Sequence, residues 1–128
     1  MTQKVLAIDD SPEIHQLLKV RLKNLDVELS HAHCGLDGFD QALGTNPDLI
    51  LLDVMMPDTS GFDVCRKLKA TSETRNIPVI FLTGASDVDQ KVLGFDVGAV
   101  DYIQKPFDSA ALNARVRAAL RTKRFQDM

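Results

Sequence analysis

Long apolar runs, a cysteine framework, charge of one sign and internal repeats are all missing from this chain, and each absence removes a class of protein. No apolar stretch approaches the roughly 20 residues that a helix needs to cross a bilayer, so no membrane contact is expected. The start, Met1-Thr2-Gln3-Lys4, leads straight into a strand-like run and holds no signal-peptide core. Only two cysteines are present, Cys34 and Cys65, in separate helix-like regions. Without a secretion signal they read as free thiols, and a cytoplasmic location is expected. A net charge of -3 gives no reason to expect direct nucleic-acid binding by this domain. There is no low-complexity segment and no repeat of solenoid length. With 128 residues, the chain supports one domain around one core.

What is present is a set of short apolar runs, each ending in a polar residue. Val5-Leu6-Ala7-Ile8 ends in Asp9-Asp10, Leu49-Ile50-Leu51-Leu52 in Asp53, and Val79-Ile80-Phe81-Leu82 in Thr83. Tyr102-Ile103-Gln104 ends in Lys105, followed by Pro106. A fifth, weakly alternating run covers Val27 to His33. Helix-like stretches separate the runs. Ser11-Pro12-Glu13 reads as an N-cap with proline and an acid in the first turn, followed by Ile14, Leu17, Leu18, Leu22 and Leu25 at helical spacing. Leu36, Phe39 and Leu43 mark a second helix, and Asn46-Pro47-Asp48 breaks the chain after it. A third begins at Ser60, with Asp63 three positions on in a capping-box-like pattern and Phe62, Cys65 and Leu68 inside. A fourth begins near Ser86, contains Val88, Val92 and Phe95, and stops before Gly98. A fifth runs from Ser109 through Leu112, Val116, Ala119 and Leu120.

Five strands and five helices in strict alternation predict a doubly wound α/β domain with a parallel sheet. The runs at 5–8, 49–52 and 79–82 are uniformly apolar, as central strands covered on both faces are. The other two carry Glu28, Ser30, Asp101 and Gln104, as edge strands can. Strand order 2-1-3-4-5 satisfies both facts, and its switch point brings Asp9, Asp10 and Asp53 together.

Carboxylates crowded into one crevice repel, and a cation relieves the repulsion. Oxygen ligands favour Mg²⁺, with Mn²⁺ as its substitute, over zinc. Asp53, at the end of the middle strand, is the best-placed nucleophile and can become an aspartyl phosphate. Lys105 and the metal would neutralise charge on the phosphoryl oxygens, and Thr83 could hydrogen-bond one of them.

The segments Val5-Leu6-Ala7-Ile8-Asp9-Asp10, Leu51-Leu52-Asp53-Val54-Met55-Met56-Pro57 with Gly61, Leu82-Thr83-Gly84-Ala85 and Tyr102-Ile103-Gln104-Lys105-Pro106-Phe107 together resemble the receiver domain of bacterial two-component response regulators. The resemblance covers essentially the whole chain and implies a flavodoxin-like fold. It implies that Asp53 accepts phosphate from a sensor histidine kinase or phosphotransfer protein, and that the chain is no enzyme beyond promoting its own phosphorylation and dephosphorylation. Asp9, Asp10, Asp53 and the backbone carbonyl of Met55 would hold Mg²⁺, and Lys105 would pair with the phosphoryl group. Thr83 and Tyr102 would form the switch, and Pro106 would follow a cis bond. The helix 4–strand 5–helix 5 face would signal to an output domain or downstream protein. Lys91, Asp101 and Arg115 resemble a charged homodimer set, with Ala111 where that set has an acid. Met55 and Ala85 stand where polar side chains can orient hydrolytic water, which implies a long-lived phosphorylated state. Residues 1–124 are expected to form the receiver and 125–128 to begin a linker.

Two other readings use the same residues. A phosphatase of haloacid-dehalogenase type also needs a strand-end aspartate and Mg²⁺, but it wants a second Asp where Met55 stands. A flavodoxin-like cofactor binder needs a hydroxyl- and glycine-rich loop where Asp9-Asp10-Ser11-Pro12 stands. His31 and His33 share a strand face, but no third ligand is near them in sequence, so they read as edge-strand residues rather than a metal pair. The basic fifth helix, with Arg115, Arg117, Arg121, Lys123 and Arg124, reads as a solvated helix compensating its dipole. Gly94 to Tyr102 resembles receivers joined to cyclic-di-GMP enzymes or hybrid kinases, an analogy only.

Overall fold

Uniformly apolar segments form the middle of the sheet, as a parallel strand covered by helices on both faces requires. The computed structural model describes residues 2–84 and 95–127. Its strands are β1 (Gln3–Ile8), β2 (Val27–Ala32), β3 (Leu49–Asp53), β4 (Val79–Thr83) and β5 (Asp101–Gln104). They pair in parallel in the order β2-β1-β3-β4-β5, the order expected from the sequence. Strands β3 and β4 are buried at every position, whereas β2 and β5 are mostly half-exposed edges.

The described helices are α1 (Pro12–Leu22), α2 (Gly35–Thr45), α3 (Gly61–Ala70) and the C-terminal α4 (Ser109–Gln126), which is the fifth helix of the sequence reading. The predicted fourth helix from Ser86, with Ala85 and Lys91, lies outside the described residues, apart from its end. Phe95 and Asp96 are helical, and Gly98 follows with φ +106° and its N–H on the Phe95 carbonyl at 3.1 Å.

Alternating strand residues build two apolar layers. Leu6, Ile8, Ile50, Leu52, Val79 and Phe81 face α2 and α3, while Val5, Ala7, Leu49, Leu51, Ile80 and Leu82 face α1 and α4. Two local expectations change. Phe39 is buried as its spacing predicts, but Leu36 and Leu43 are 61% and 41% exposed, and α2 buries Gly35, Gly38 and Ala42 in their place. The small residues let the helix sit directly on β1: a Cβ on Gly38 would run into the Ile8 side chain. Ser11 occupies the N-cap of α1 but makes no capping bond; its hydroxyl goes to Glu13 at 2.9 Å. Ser60 does cap α3, accepting from the Asp63 N–H at 3.2 Å, but the Asp63 carboxylate turns outward to Arg66.

Gly61 opens α3 directly under β3. Its N–H reaches the Val54 carbonyl at 2.7 Å, and a Cβ there would overlap the Asp53 carbonyl oxygen. Gly61→Ala is therefore expected to cost about 3 kcal/mol or more in urea unfolding, because backbone rather than a pliable side chain must move. Gly44, exposed in α2 with open space where a Cβ would stand, behaves oppositely. Gly44→Ala is expected to stabilise by about 0.5–1 kcal/mol in the same measurement.

Candidate metal and phosphoryl site

The strands that deliver polar residues to the crevice run in parallel, so those residues emerge together at the carboxyl edge of the sheet. Asp9 follows β1, Asp53 ends β3, Thr83 ends β4 and Lys105 follows β5. The Asp9, Asp10 and Asp53 carboxylates each offer an oxygen, and these oxygens lie within 4.8 Å of one another. Asp9 is fully buried, Asp53 is 8% exposed and Asp10 faces solvent. Among the described residues this is the one group of three such side chains close enough to share a metal ion. An all-oxygen set at a partly open edge fits a hard divalent cation and leaves room for water or phosphate oxygens.

Lys105 reaches into the same crevice. Its Nζ lies 2.9 Å from Asp9 Oδ2 and 3.4 Å from Asp53 Oδ1. The other Asp9 oxygen accepts the Ser11 N–H at 2.9 Å. The Lys105–Pro106 peptide bond is cis. Burial first, and then the Asp9 charge, push the Asp53 carboxyl up from 3.8 to about 6; Lys105 and the Met55 N–H pull the other way without cancelling the rise. Asp53 still ionises below neutral pH, as a nucleophile must.

Met55 lies in the loop after β3, joined to Ser60 by an isolated antiparallel bridge, and is 73% exposed. Thr83 is buried, and its carbonyl accepts the Lys105 N–H at 2.7 Å. The register pairs Thr83 with Gln104 and Phe81 with Tyr102, so Thr83 and Tyr102 are diagonal neighbours on one face of the sheet. The Tyr102 ring is half-buried between Phe95, at 6.1 Å between centroids, and the Arg115 guanidinium, at 5.6 Å. Arg115 also holds Asp101 at 2.6 Å within the same chain.

Sequence reasoning missed His15. Its Nε2 sits 2.8 Å from the Asp9 carbonyl, which can only accept, so the ring carries hydrogen there. Its Nδ1 faces His31 Nδ1 at 2.6 Å, and His33 stacks edge-on at 4.4 Å between centroids. His15, distant in sequence from His31 and His33, thus meets both beside the first aspartate. Nothing local marks His15, because its partners come from two other elements.

Ionising Asp53 costs the folded state more than the unfolded one. Its contribution to stability is complete below about pH 3.8 and is lost as pH rises through about 6. In metal-free buffer at neutral pH, Asp53→Asn is therefore expected to be more stable than the parent by on the order of 2 kcal/mol. That advantage should shrink towards zero on acidification below pH 4, as measured by chemical unfolding across the range.

A family model described as the response regulator receiver domain matches residues 5–117. The DNA-binding dual master transcriptional regulator RpaA of Synechocystis sp. is 42% identical over 118 residues, covering 92% of this chain and 49% of that protein. Response regulator ArlR of Staphylococcus aureus is 40% identical over 128 residues, covering 100% of this chain and 57% of that protein. The chain thus spans about half the length of these curated relatives. Among solved structures, the signal receiver domain of a signal transduction histidine kinase from Syntrophus aciditrophicus matches with a TM-score of 0.86 and 35% identity, covering 94% of this chain and 92% of that one. The match to the family model runs from β1 into the C-terminal helix and takes in the whole carboxylate crevice, so this chain belongs to the response regulator receiver domain family of two-component systems.

Proposed function

We propose that this receiver accepts a phosphoryl group on Asp53 from the phosphohistidine of a sensor histidine kinase or phosphotransfer protein, in a Mg²⁺-dependent reaction. An Asp53 carboxylate oxygen attacks phosphorus, the P–N bond to the donor imidazole breaks, and its electron pair stays on the ring nitrogen. The observation that carries the reading is the company Asp53 keeps: a nearly buried carboxylate, ionised at neutral pH, with an ammonium at 3.4 Å and two further carboxylates beside it. Asp9, Asp10, Asp53 and the Met55 carbonyl would hold Mg²⁺ or Mn²⁺, which when bound supplies positive charge to the phosphoryl oxygens. Lys105 exchanges its place beside Asp53 for one beside the new phosphoryl group. Thr83 donates its hydroxyl to a phosphoryl oxygen, and Tyr102 moves into the space this opens.

The switch face is then the one around Tyr102, Asp101 and Arg115, and its partner is an output domain or a second copy of the chain. A dimer that uses Asp101 and Arg115 must share or exchange the ion pair they make within one chain. RpaA is named as DNA-binding. By that analogy nucleic-acid contact belongs to an output domain, and this domain carries the signal to it. The chain promotes only its own phosphorylation and dephosphorylation, and it works in the cytoplasm. No helix of the described residues is long and apolar enough to cross a membrane.

Incubation with acetyl phosphate and Mg²⁺ is expected to add one phosphoryl group, read as a mass gain that Asp53→Asn abolishes. Lys105→Ala should slow the reaction by about a hundredfold. Turnover of acetyl phosphate without a stable adduct would count against the reading. The adduct is also expected to persist for minutes or longer, since Met55 offers no polar group to hydrolytic water. Met55→Asn should shorten that lifetime, and loss of phosphate from the parent within seconds would contradict it.

A further inference from the structure

The loop after β3 carries the Met55 carbonyl, and its shape is fixed at two places. At its base, Met55 and Ser60 bridge, and the Gly61 N–H bonds the Val54 carbonyl. At its far end the fixing group is Asp58. Its Oδ1 accepts the Gly35 N–H at 3.0 Å, and its Oδ2 accepts the Leu36 N–H at 2.9 Å. Both oxygens are therefore spent on the first amides of α2, across more than 20 residues of chain. The N-cap residue of α2, Cys34, makes no side-chain cap of its own, so the helix is capped from the loop. These amides, with the Cys34 thiol, hold the Asp58 carboxyl below its ordinary range. Contact continues beside the bonds: a Cβ on Gly35 would overlap Thr59.

Helix α2 is itself seated on β1, where Gly38 leaves room only for the Ile8 side chain. Ile8 directly precedes Asp9 and Asp10. Asp58 thus closes a ring that runs from β1 through α2 and the loop to β3. Two proposed metal ligands hang on one side of that ring, and Asp53 with the Met55 carbonyl on the other.

We propose that Asp58 is a positioning residue for Mg²⁺: by clamping the loop to α2, it holds the Met55 carbonyl at a fixed place relative to Asp9, Asp10 and Asp53. The inference rests on the metal reading above. Residues that orient metal ligands from behind cost about 10–100-fold in affinity when removed. A plain helix cap would cost stability alone.

Calorimetric titration of Mg²⁺ into the unphosphorylated chain separates the two. Asp58→Ala is expected to raise the dissociation constant by about tenfold or more. Two controls isolate the cause. Asp37→Asn removes the same charge from the first turn of α2 but leaves the clamp intact. Asp108→Ala removes another helix cap, the one that accepts the Ala111 N–H at 3.1 Å. Both controls should stay within about twofold of the parent, well under what loss of a positioning group costs. Asp58→Asn, which keeps one acceptor, should fall between parent and Asp58→Ala, and it decides the matter by the same comparisons if Asp58→Ala does not fold. An Asp58 variant that binds Mg²⁺ like the parent, or no more weakly than Asp37→Asn, overturns the proposal. A parent chain that takes up no Mg²⁺ overturns the metal reading first, a result visible before any variant is made.

Discussion

Carboxylates gathered at one sheet edge would drive each other apart, and the Lys105 ammonium, at 2.9 Å from Asp9 and 3.4 Å from Asp53, opposes that repulsion from within the crevice. Asp9 is the group with most at stake. It is fully buried, and a buried carboxylate that loses its partner costs several kcal/mol. Lys105 can reach it only while β5 keeps its register on β4, and the Lys105 N–H to Thr83 carbonyl bond holds the end of that register at 2.7 Å. The shortest strand of the sheet, half-exposed at its edge, is thereby tied to the most buried charge in the crevice. Shifting β5 by one residue would turn its side chains to the opposite face and withdraw the ammonium.

A charged cluster of this kind is a weak source of stability, because desolvation offsets most of the attraction. What holds the fold together is the pair of apolar layers on either side of the sheet. The division of labour follows from the strand sequences. Residues 5–8 of β1, 49–52 of β3 and 79–82 of β4 supply apolar side chains to both layers, and only after them does the chain turn polar. The charges are therefore carried at the ends of the most deeply buried strands. Gly38 on Ile8 and Gly61 beneath Asp53 bring α2 and α3 close to the strand ends, so helix positions are set against the same residues that present the carboxylates.

The architecture was legible in the sequence because its signals are local. Polarity separated edge strands from central ones, and each apolar run declared its own end. Strand order then followed from few rules, and the three aspartates with Lys105 were found at one edge. What stayed hidden depends on contacts between distant segments. His15 matters because it meets Asp9 from one element and His31 from another. Nothing in the sequence marks Asp58, since its partners lie on α2. Leu36 and Leu43 followed helical spacing but face outward, because close approach to β1 selects glycine and alanine for the buried stripe. Ser11 looked like a cap, yet Glu13 takes its hydroxyl. Spacing predicts which face of a helix is apolar on average, but distance between elements decides which residues fill it.

The arrangement around Tyr102 bears on how a charge at Asp53 could be turned into a change of surface. Asp101 Oδ1 accepts both the Arg115 guanidinium at 2.6 Å and the Tyr102 N–H at 2.8 Å. The backbone at the start of β5 is therefore pinned to the C-terminal helix independently of the Tyr102 ring. At the other end, Lys105 pins the strand to the crevice. With both ends held, a rearrangement beside Thr83 has little freedom to slide β5, while the Tyr102 ring packs against Phe95 and the Arg115 guanidinium. On the proposed reading, the new phosphoryl charge biases a two-position aromatic side chain on a fixed strand. The sheet then acts as the frame against which that movement is felt by a partner, and the same ion pair that pins Asp101 marks the border of the surface that changes.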